Sequence, residues 1–212
     1  MNILVTAGPT REFLDPVRFL SNRSTGKMGY ALAGAGAGRG HAVRLISGPV
    51  ALPAPDGVAL TRVTTAADML AAVLAALADC DVLVMCAAVA DWRPKQVAAQ
   101  KLKKGAMSGT LELERTPDIL QAVCGRRHPG QLVVGFAAET QDVVASADGK
   151  RMAKGLDMIV ANDVSRSDAG FAVDTNAVCL ISADGRETLP LMSKRAVAER
   201  ILDWLEKHRH PS

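Results

Sequence analysis

NILVTAGPTREFLDPVRFLSNRSTGKMG, residues 2–29, is the stretch whose reading decides the fold. Asn2–Ala7 is a short apolar run closed by Gly8-Pro9, the pattern of a buried strand opening a parallel sheet. Ser24-Thr25-Gly26 then opens a helix through Ala31, Leu32 and Ala35. In sheets built from such units, ligands bind beyond the carboxyl ends of the strands, which is where the intervening turn falls. That turn carries Arg18, Asn22, the Ser24-Thr25 hydroxyl pair and Gly26-Lys27-Met28-Gly29. The free N–H groups and positive dipole end of the helix suit a phosphate or a carboxylate, so the segment reads as an anion holder.

Outward from there, strands and helices alternate. Residues 42–47, AVRLIS, form a strand closed by Gly48-Pro49, and a proline-rich loop over 52–57 leads to a short strand over 58–63. Thr65 caps a helix over 66–78, with Asp68 near its positive end. A strongly apolar strand spans 81–88. Residues 110–115 alternate as a strand, and Thr116-Pro117-Asp118 begins a helix with Thr116 as N-cap and Pro117 as first helical residue. A buried strand over 132–138, a helix over 142–154 and a strand over 158–161 follow. Towards the C-terminus, 177–182 and 188–191 flank the hairpin signal Ala183-Asp184-Gly185-Arg186, and Ser193 caps a final amphipathic helix through Ile201, Leu202 and Leu205. The expected fold is α/β: a doubly wound, mostly parallel Rossmann-like sheet with an appended C-terminal β-hairpin. No repeat or linker divides it, so residues 1–212 read as a single domain. The polar segment 91–109, with Arg93, Lys95, Lys101, Lys103 and Lys104, is long for a connection. A solvated loop is one reading. Its place after a central strand favours a flap over an anionic ligand.

Composition narrows the class of protein. Apolar residues make up 49% and charged residues 22%, normal for a globular domain, while 3% aromatics leave an aliphatic core. A net charge of +3 is too mild to argue for a nucleic-acid partner. Cys80, Cys86, Cys124 and Cys179 lack C-x-x-C spacing and read as reduced thiols. His41, His128, His208 and His210 do not cluster, which gives a histidine metal site or triad little support. The N-terminal apolar run is too short for a signal peptide, and the longest one, 82–90, is about half of what spanning a bilayer needs. A cytoplasmic protein without a membrane partner is expected.

Familiar nucleotide motifs fail. A P-loop needs Ser or Thr after Gly-Lys and a glycine five positions earlier; Met28 and Ser21 stand there. The glycines from Gly34 to Gly40 follow a helix rather than a strand, so close packing and a helix C-cap explain them better than a dinucleotide fingerprint. Tyr30 has no lysine four residues on, so a short-chain dehydrogenase pair is missing.

The residues resemble one family closely. The blocks are Val5-Thr6-Ala7-Gly8-Pro9-Thr10-Arg11-Glu12, Asp15-Pro16-Val17-Arg18-Phe19, Ser21-Asn22, Gly26-Lys27-Met28-Gly29 and Ser47-Gly48-Pro49-Val50. Ala87-Ala88-Val89-Ala90-Asp91-Trp92, Lys101-Leu102-Lys103-Lys104, Pro117-Asp118-Ile119-Leu120, Gly135-Phe136-Ala137-Ala138-Glu139-Thr140 and Ala161-Asn162-Asp163-Val164 continue the series. In order and along nearly the whole chain, they resemble the phosphopantothenoylcysteine synthetase domain of coenzyme A biosynthesis, of bacterial type. Thr25, Leu102 and Thr116 stand where serine, isoleucine and asparagine are usual, and none of these departures removes a charge.

The resemblance implies a ligase joining 4′-phosphopantothenate to L-cysteine. A carboxylate is a poor electrophile at neutral pH, so activation by a nucleoside triphosphate, CTP in preference to ATP, is implied, through an acyl-nucleotidyl intermediate with release of pyrophosphate. Asn22 and Lys101 are the implied catalytic residues: the Asn22 amide stabilises the oxyanion formed as cysteine attacks, and Lys101 on the flap neutralises phosphate charge. Arg18, Asn22, Ser24, Thr25, Gly26 and Ala88 are implied to bind substrate. Met85, Cys86, Ala87, Asp91, Lys101, Pro117, Asp118, Ile119, Leu120, Phe136, Lys150 and Lys154 are implied to bind nucleotide, with Cys86 contributing main chain rather than thiolate. Asp91 is the candidate carboxylate for Mg²⁺ on the triphosphate. A homodimer is expected, with Arg18 reaching the partner's substrate. No flavin is expected in this chain; a separate flavin-dependent decarboxylase would act on the product unless the sequence is an excised domain. An NAD(P)-binding oxidoreductase on the same fold and a non-catalytic nucleotide-binding protein are the alternatives. The missing glycine fingerprint counts against the first, and intact Asn22, Asp91 and Lys101 against the second.

Overall fold

The computed structural model describes residues 1–103, 109–139, 142–163 and 168–209; Lys104, Thr140, Val164 and His210 lie outside them. Six strands run parallel: β1 (Asn2–Ala7), β4 (Ala42–Ser47), β5 (Val58–Arg62), β6 (Val82–Met85), β9 (Leu132–Glu139) and β10 (Met158–Asp163). β12 (Val178–Ser182) and β13 (Gly185–Thr188) extend one edge antiparallel, giving the order β13-β12-β10-β9-β6-β1-β4-β5. The chain winds from β1 outward through β4 and β5, then returns to β6 on the other side of β1. The strand order therefore reverses between β1 and β6, the position where doubly wound sheets open a crevice.

Alternation along the buried strands sends side chains to two faces. Ile3, Val5, Val84, Val134 and Val160 meet α1 (Lys27–Gly38) and α5 (Lys194–His208). Leu4, Leu83, Val133 and Ile159 meet α2 (Ala66–Leu77), α3 (Ile119–Cys124) and α4 (Val143–Ala153). Thr65 and Asp68 close a capping box at the start of α2, and Ser193 accepts from Ala196 N–H at the start of α5. The glycine-rich run lies in α1 and its exit: Gly36 packs on Val43, and Gly40 turns the chain at φ 82°. Arg39 ties the two helices of this face together through Glu199, Asp203 and Glu206.

Two expectations need correction. Thr116 does not cap α3. Asp118 does, accepting from Gln121 N–H at 3.0 Å, while the Thr116 hydroxyl donates to Ala90 O and its N–H to Asp91 O. Thr116 is thus spent on tying its own strand to the loop after β6, and Pro117 precedes the helix. The C-terminal hairpin turns on Ala183-Asp184, so its second strand starts at Gly185 rather than at residue 188. Three short pairings escaped the sequence reading: β2 (Arg11–Phe13) with β3 (Phe19–Ser21), β7 (Trp92–Pro94) with β8 (Leu113–Arg115), and β11 (Thr175–Asn176) with β14 (Met192–Ser193). β7 opens the segment read as a flap, and it lies against β2. These two hairpins expose Phe13, Val17, Phe19, Trp92 and Leu113.

Candidate functional site

A cleft of about 770 Å³ opens at the carboxyl ends of β1, β6, β9 and β10. On one side stands the start of α1. Gly26 occupies the N-cap position in the left-handed region (φ 78°), and no side chain among the described residues caps the helix, which leaves the first-turn N–H groups facing the cleft. Helix and strand approach closely here: a Cβ on Gly29 would lie 2.6 Å from Ala7 Cβ and 2.9 Å from Thr6 O. Glycine at 29 lets the positive end of α1 sit directly against β1.

Asn22, Ser24, Thr25, Gly26, Met85, Cys86, Ala87, Ala88, Asp91, Pro117, Asp118, Ile119, Leu120, Phe136 and Lys150 all line this cleft. Asn22 donates from Nδ2 to Ala88 O at 3.0 Å, which sets its amide beside the peptide that follows β6. Buried Thr6 and Thr10 fix that peptide segment by accepting from Ala87 N–H (3.1 Å) and Ala90 N–H (2.9 Å). Cys86 N–H is engaged with Val84 O, so the turn after β6 has carbonyl oxygens rather than N–H donors to offer a base or ribose. Burial pushes the Cys86 thiol up to about 12, which keeps it protonated and unreactive.

The cationic residues are distributed differently. Lys150 lies in the cleft wall and pairs with Glu139 at 2.6 Å. Lys154 stands behind the lining and pairs with Asp118, whose carboxylate also caps α3. The Lys154 ammonium lowers the Asp118 pKa against the opposing effect of burial. An incoming phosphate would therefore compete with Glu139 for Lys150, and it would meet a carboxylate at the start of α3. Arg18 and Lys101 do not line the cleft. The Arg18 guanidinium is held by Asp15, with Nε 3.0 Å and Nη2 2.5 Å from Oδ2, and donates to Leu102 O at 2.9 Å. Lys101 is exposed on the flap segment.

Asp91 is an exposed carboxylate in the lining, and among the described residues no group of three or more His, Cys, Asp or Glu is arranged to hold a metal ion. That donor set suits a Mg²⁺ carried in on phosphates, which needs only one or two carboxylates from the protein.

The sequence reading missed one wall entirely. The segment around 170–176 contributes Gly170, Phe171 and Asn176, and four side chains strap it down. Thr25 Oγ1 donates to Phe171 O at 2.5 Å, so this hydroxyl is occupied rather than free for an anion. Lys27 donates to Ala172 O and pairs with Asp174 at 2.7 Å. Lys194, 5% exposed, donates its three N–H bonds to Gly170 O, Val173 O and Thr175 O, and burial lowers its pKa. Asn176 accepts from Gly170 N–H. Asn162, at the end of β10 and 9% exposed, also lines the cleft, with no hydrogen-bond partner for Oδ1 among the described residues. The one available signal was a polar residue ending an apolar strand in the Ala161-Asn162-Asp163-Val164 block. For Lys194 there was none.

A doubly wound sheet with an uncapped helix start, an amide donor and the Asp91 and Asp118 carboxylates at its switch point has the layout of an enzyme-like ligand cleft. Comparison with known proteins is specific. The family model for the DNA/pantothenate metabolism flavoprotein C-terminal domain matches residues 1–208, and the chain belongs to that family. It is 48% identical over 206 residues to the coenzyme A biosynthesis bifunctional protein CoaBC of Escherichia coli K12, covering 96% of this chain and 51% of the relative. The Bacillus subtilis protein of the same name is 52% identical over 203 residues, covering 95% and 50%. The chain thus spans about half the length of the curated relatives it matches. A crystal structure of the C-terminal domain of CoaBC is 43% identical, with a TM-score of 0.83 over 97% of this chain and 94% of that one.

Proposed function

We propose that residues 1–212 act as one domain that joins 4′-phosphopantothenate to L-cysteine, consuming a nucleoside triphosphate, with CTP favoured over ATP. The observation that carries this reading is the gathering of Asn22, the uncapped start of α1, Asp91 and Lys150 in one cleft of a CoaBC-like chain. In the first step a carboxylate oxygen of 4′-phosphopantothenate attacks the α-phosphorus; the bond to the bridging oxygen breaks and pyrophosphate leaves. In the second, the cysteine amine attacks the acyl carbon, the bond to the nucleotidyl oxygen breaks, and the nucleoside monophosphate leaves as the amine loses a proton.

Both steps build charge on oxygen, so fixed donors are what this chain has to supply. Asn22 keeps one amide hydrogen on Ala88 O and has the second for the oxyanion of the acyl carbon. Ser24, Gly26 and Ala88 hold the phosphopantothenate end, with Thr25 contributing main chain because its hydroxyl is taken by Phe171 O. Met85 to Ala87, Pro117 to Leu120 and Phe136 hold the nucleotide, with Lys101 on its phosphates and Lys150 and Lys154 reaching phosphate or base once released from Glu139 and Asp118. A Mg²⁺ on the triphosphate, bound through Asp91, would supply Lewis-acid neutralisation of phosphate charge. In a homodimer, Arg18 would meet the substrate of the partner subunit, and the exposed side chains of the β2–β3 and β7–β8 hairpins are the apolar surface such a dimer would cover. We place the protein in the cytoplasm, its product passing to a flavin-dependent decarboxylase; no helix of the described residues is long and apolar enough to cross a membrane.

The test is a pyrophosphate-release assay with each nucleoside triphosphate, 4′-phosphopantothenate and cysteine. Pyrophosphate and a nucleotidylated intermediate should form before cysteine is added. A nucleoside diphosphate with inorganic phosphate would indicate an acyl phosphate instead and refute the mechanism.

A further inference from the structure

Asp15 sits in the turn between β2 and β3, and its side chain has no accessible surface. Oδ1 accepts from Val17 N–H (2.8 Å) and Arg18 N–H (2.9 Å), a local turn pattern. Oδ2 accepts from Arg18 Nε, from Arg18 Nη2 and, at 3.1 Å, from Leu102 N–H, 87 residues further along the chain. Because Arg18 Nη2 also donates to Leu102 O, one carboxylate–guanidinium pair holds both backbone groups of a single flap residue. A second tie runs from Ala98 N–H to Leu14 O at 2.9 Å. The two ties bracket Lys101.

We propose that Asp15 is a positioning residue for Lys101: it fixes the flap backbone at Leu102 so that the neighbouring ammonium is set toward the phosphates of the bound nucleotide. This rests on the reading of Lys101 as a triphosphate contact. The chemistry asks for a carboxylate rather than an amide. The turn needs one acceptor oxygen, which asparagine supplies as well. The second oxygen faces three donors, and an asparagine Nδ2 there would oppose all three. A charge with no accessible surface is also too costly to keep unless it is paired and hydrogen-bonded, as this one is.

Asp15→Asn therefore spares the turn and cuts the tether. The peptide bond after Lys101 is the one whose N–H Asp15 holds, so trypsin reads the tether directly; cleavage after exposed Arg126 serves as reference. The variant should raise the Lys101/Arg126 cleavage ratio about tenfold, the worth of one charge-assisted hydrogen bond. KM for the nucleoside triphosphate should rise by a similar factor, and in that KM Asp15→Asn should add less than about twofold to the loss caused by Lys101→Ala, since both act through one group. An unchanged cleavage ratio, or losses that multiply in the double variant, would overturn the proposal. If Asp15→Asn does not fold, Arg18→Lys keeps the charge beside Asp15 but not the fork to Leu102 O; it should shift the ratio several-fold in the same direction, and no shift would count against the tether. A wild-type protein that turns over no nucleoside triphosphate would fail the functional reading, while the cleavage ratio would still decide for or against the tether.

Discussion

Gly29→Ala and Gly34→Ala make the same chemical change in the same helix and should have opposite effects. At position 29 the added Cβ would lie 2.6 Å from Ala7 Cβ and 2.9 Å from Thr6 O, about 1 Å inside ordinary carbon contact. Neither neighbour is a flexible side-chain end, so α1 has to move off β1. Overpacking of this kind costs about 1–3 kcal/mol, and the better helix propensity of alanine returns about 1 kcal/mol. A net loss of up to about 2 kcal/mol corresponds to a Tm lower by up to about 8 °C in a chain of this size. At position 34 the nearest heavy atom is Pro55 Cβ at 3.5 Å, an ordinary contact, so alanine should gain about 0.5–1 kcal/mol and raise Tm by about 1–4 °C. The shift at 29 also moves the cleft end of α1, and misplacement by about 1 Å can cost about a hundredfold in rate. Thermal melts of both variants, alongside pyrophosphate release, check the reasoning. It is refuted if Gly29→Ala melts no lower than Gly34→Ala, or if it keeps full activity.

Asn22→Asp replaces the free amide hydrogen with negative charge, so the acyl-nucleotidyl intermediate should accumulate while amide formation slows by about 10²–10³-fold; wild-type product formation would remove Asn22 from its role. The Arg18 guanidinium holds the Asp15 carboxyl well below the usual range, so its stabilisation is complete above the unfolded pKa of about 3.9 and is lost as pH falls through the lower folded value. Urea midpoints should therefore drop for the wild type below about pH 4, while Asp15→Asn should start lower at neutral pH and fall less steeply; parallel curves would contradict this. Desolvation raises the pKa of the half-buried Cys86 thiol, so Cys86 should resist iodoacetamide at pH 8 in the native state although it lines the cleft, and rapid labelling located there by mass spectrometry would contradict the raised pKa. Light scattering should give a dimer, and mixing Arg18→Ala with Asn22→Asp subunits should restore part of the activity; a fully active monomer would exclude composite sites.

What the sequence made legible was whatever repeats a period or carries a cap. β1, β4 and β6 are apolar runs with no competing reading, and Thr65 with Asp68 spells out the start of α2. β2, β3 and β7 are three residues each, too short for alternation to register, and β8, legible within 110–115, pairs with a strand about twenty residues earlier that nothing local announces. Thr116 misled because threonine before Pro-Asp makes a plausible cap locally; the hydroxyl is taken by Ala90 O, 26 residues away. The order of elements put the turn after β1 at a strand end, while the individual cleft residues from Asn22 to Phe136 came from the family resemblance. The part formed by Lys194 and the 170–176 segment came from neither, because a buried lysine reads as an exposed one until the three carbonyls around it are known.

Lys194, the first residue of α5, also sets a schedule for the newborn chain. The earliest parts of the cleft, β1 and the start of α1, leave the ribosome long before the helix that covers α1 and the lysine that anchors the opposite wall. Chains emerge at about 5–20 residues per second, so some ten to thirty seconds separate the glycine turn at Gly26 from Lys194. Through that interval the apolar flank of α1 lacks its cover, and the 170–176 segment, once made, lacks its clasp. The nascent protein consequently has no finished cleft to offer a ligand, and small molecules cannot template its folding until α5 has been made.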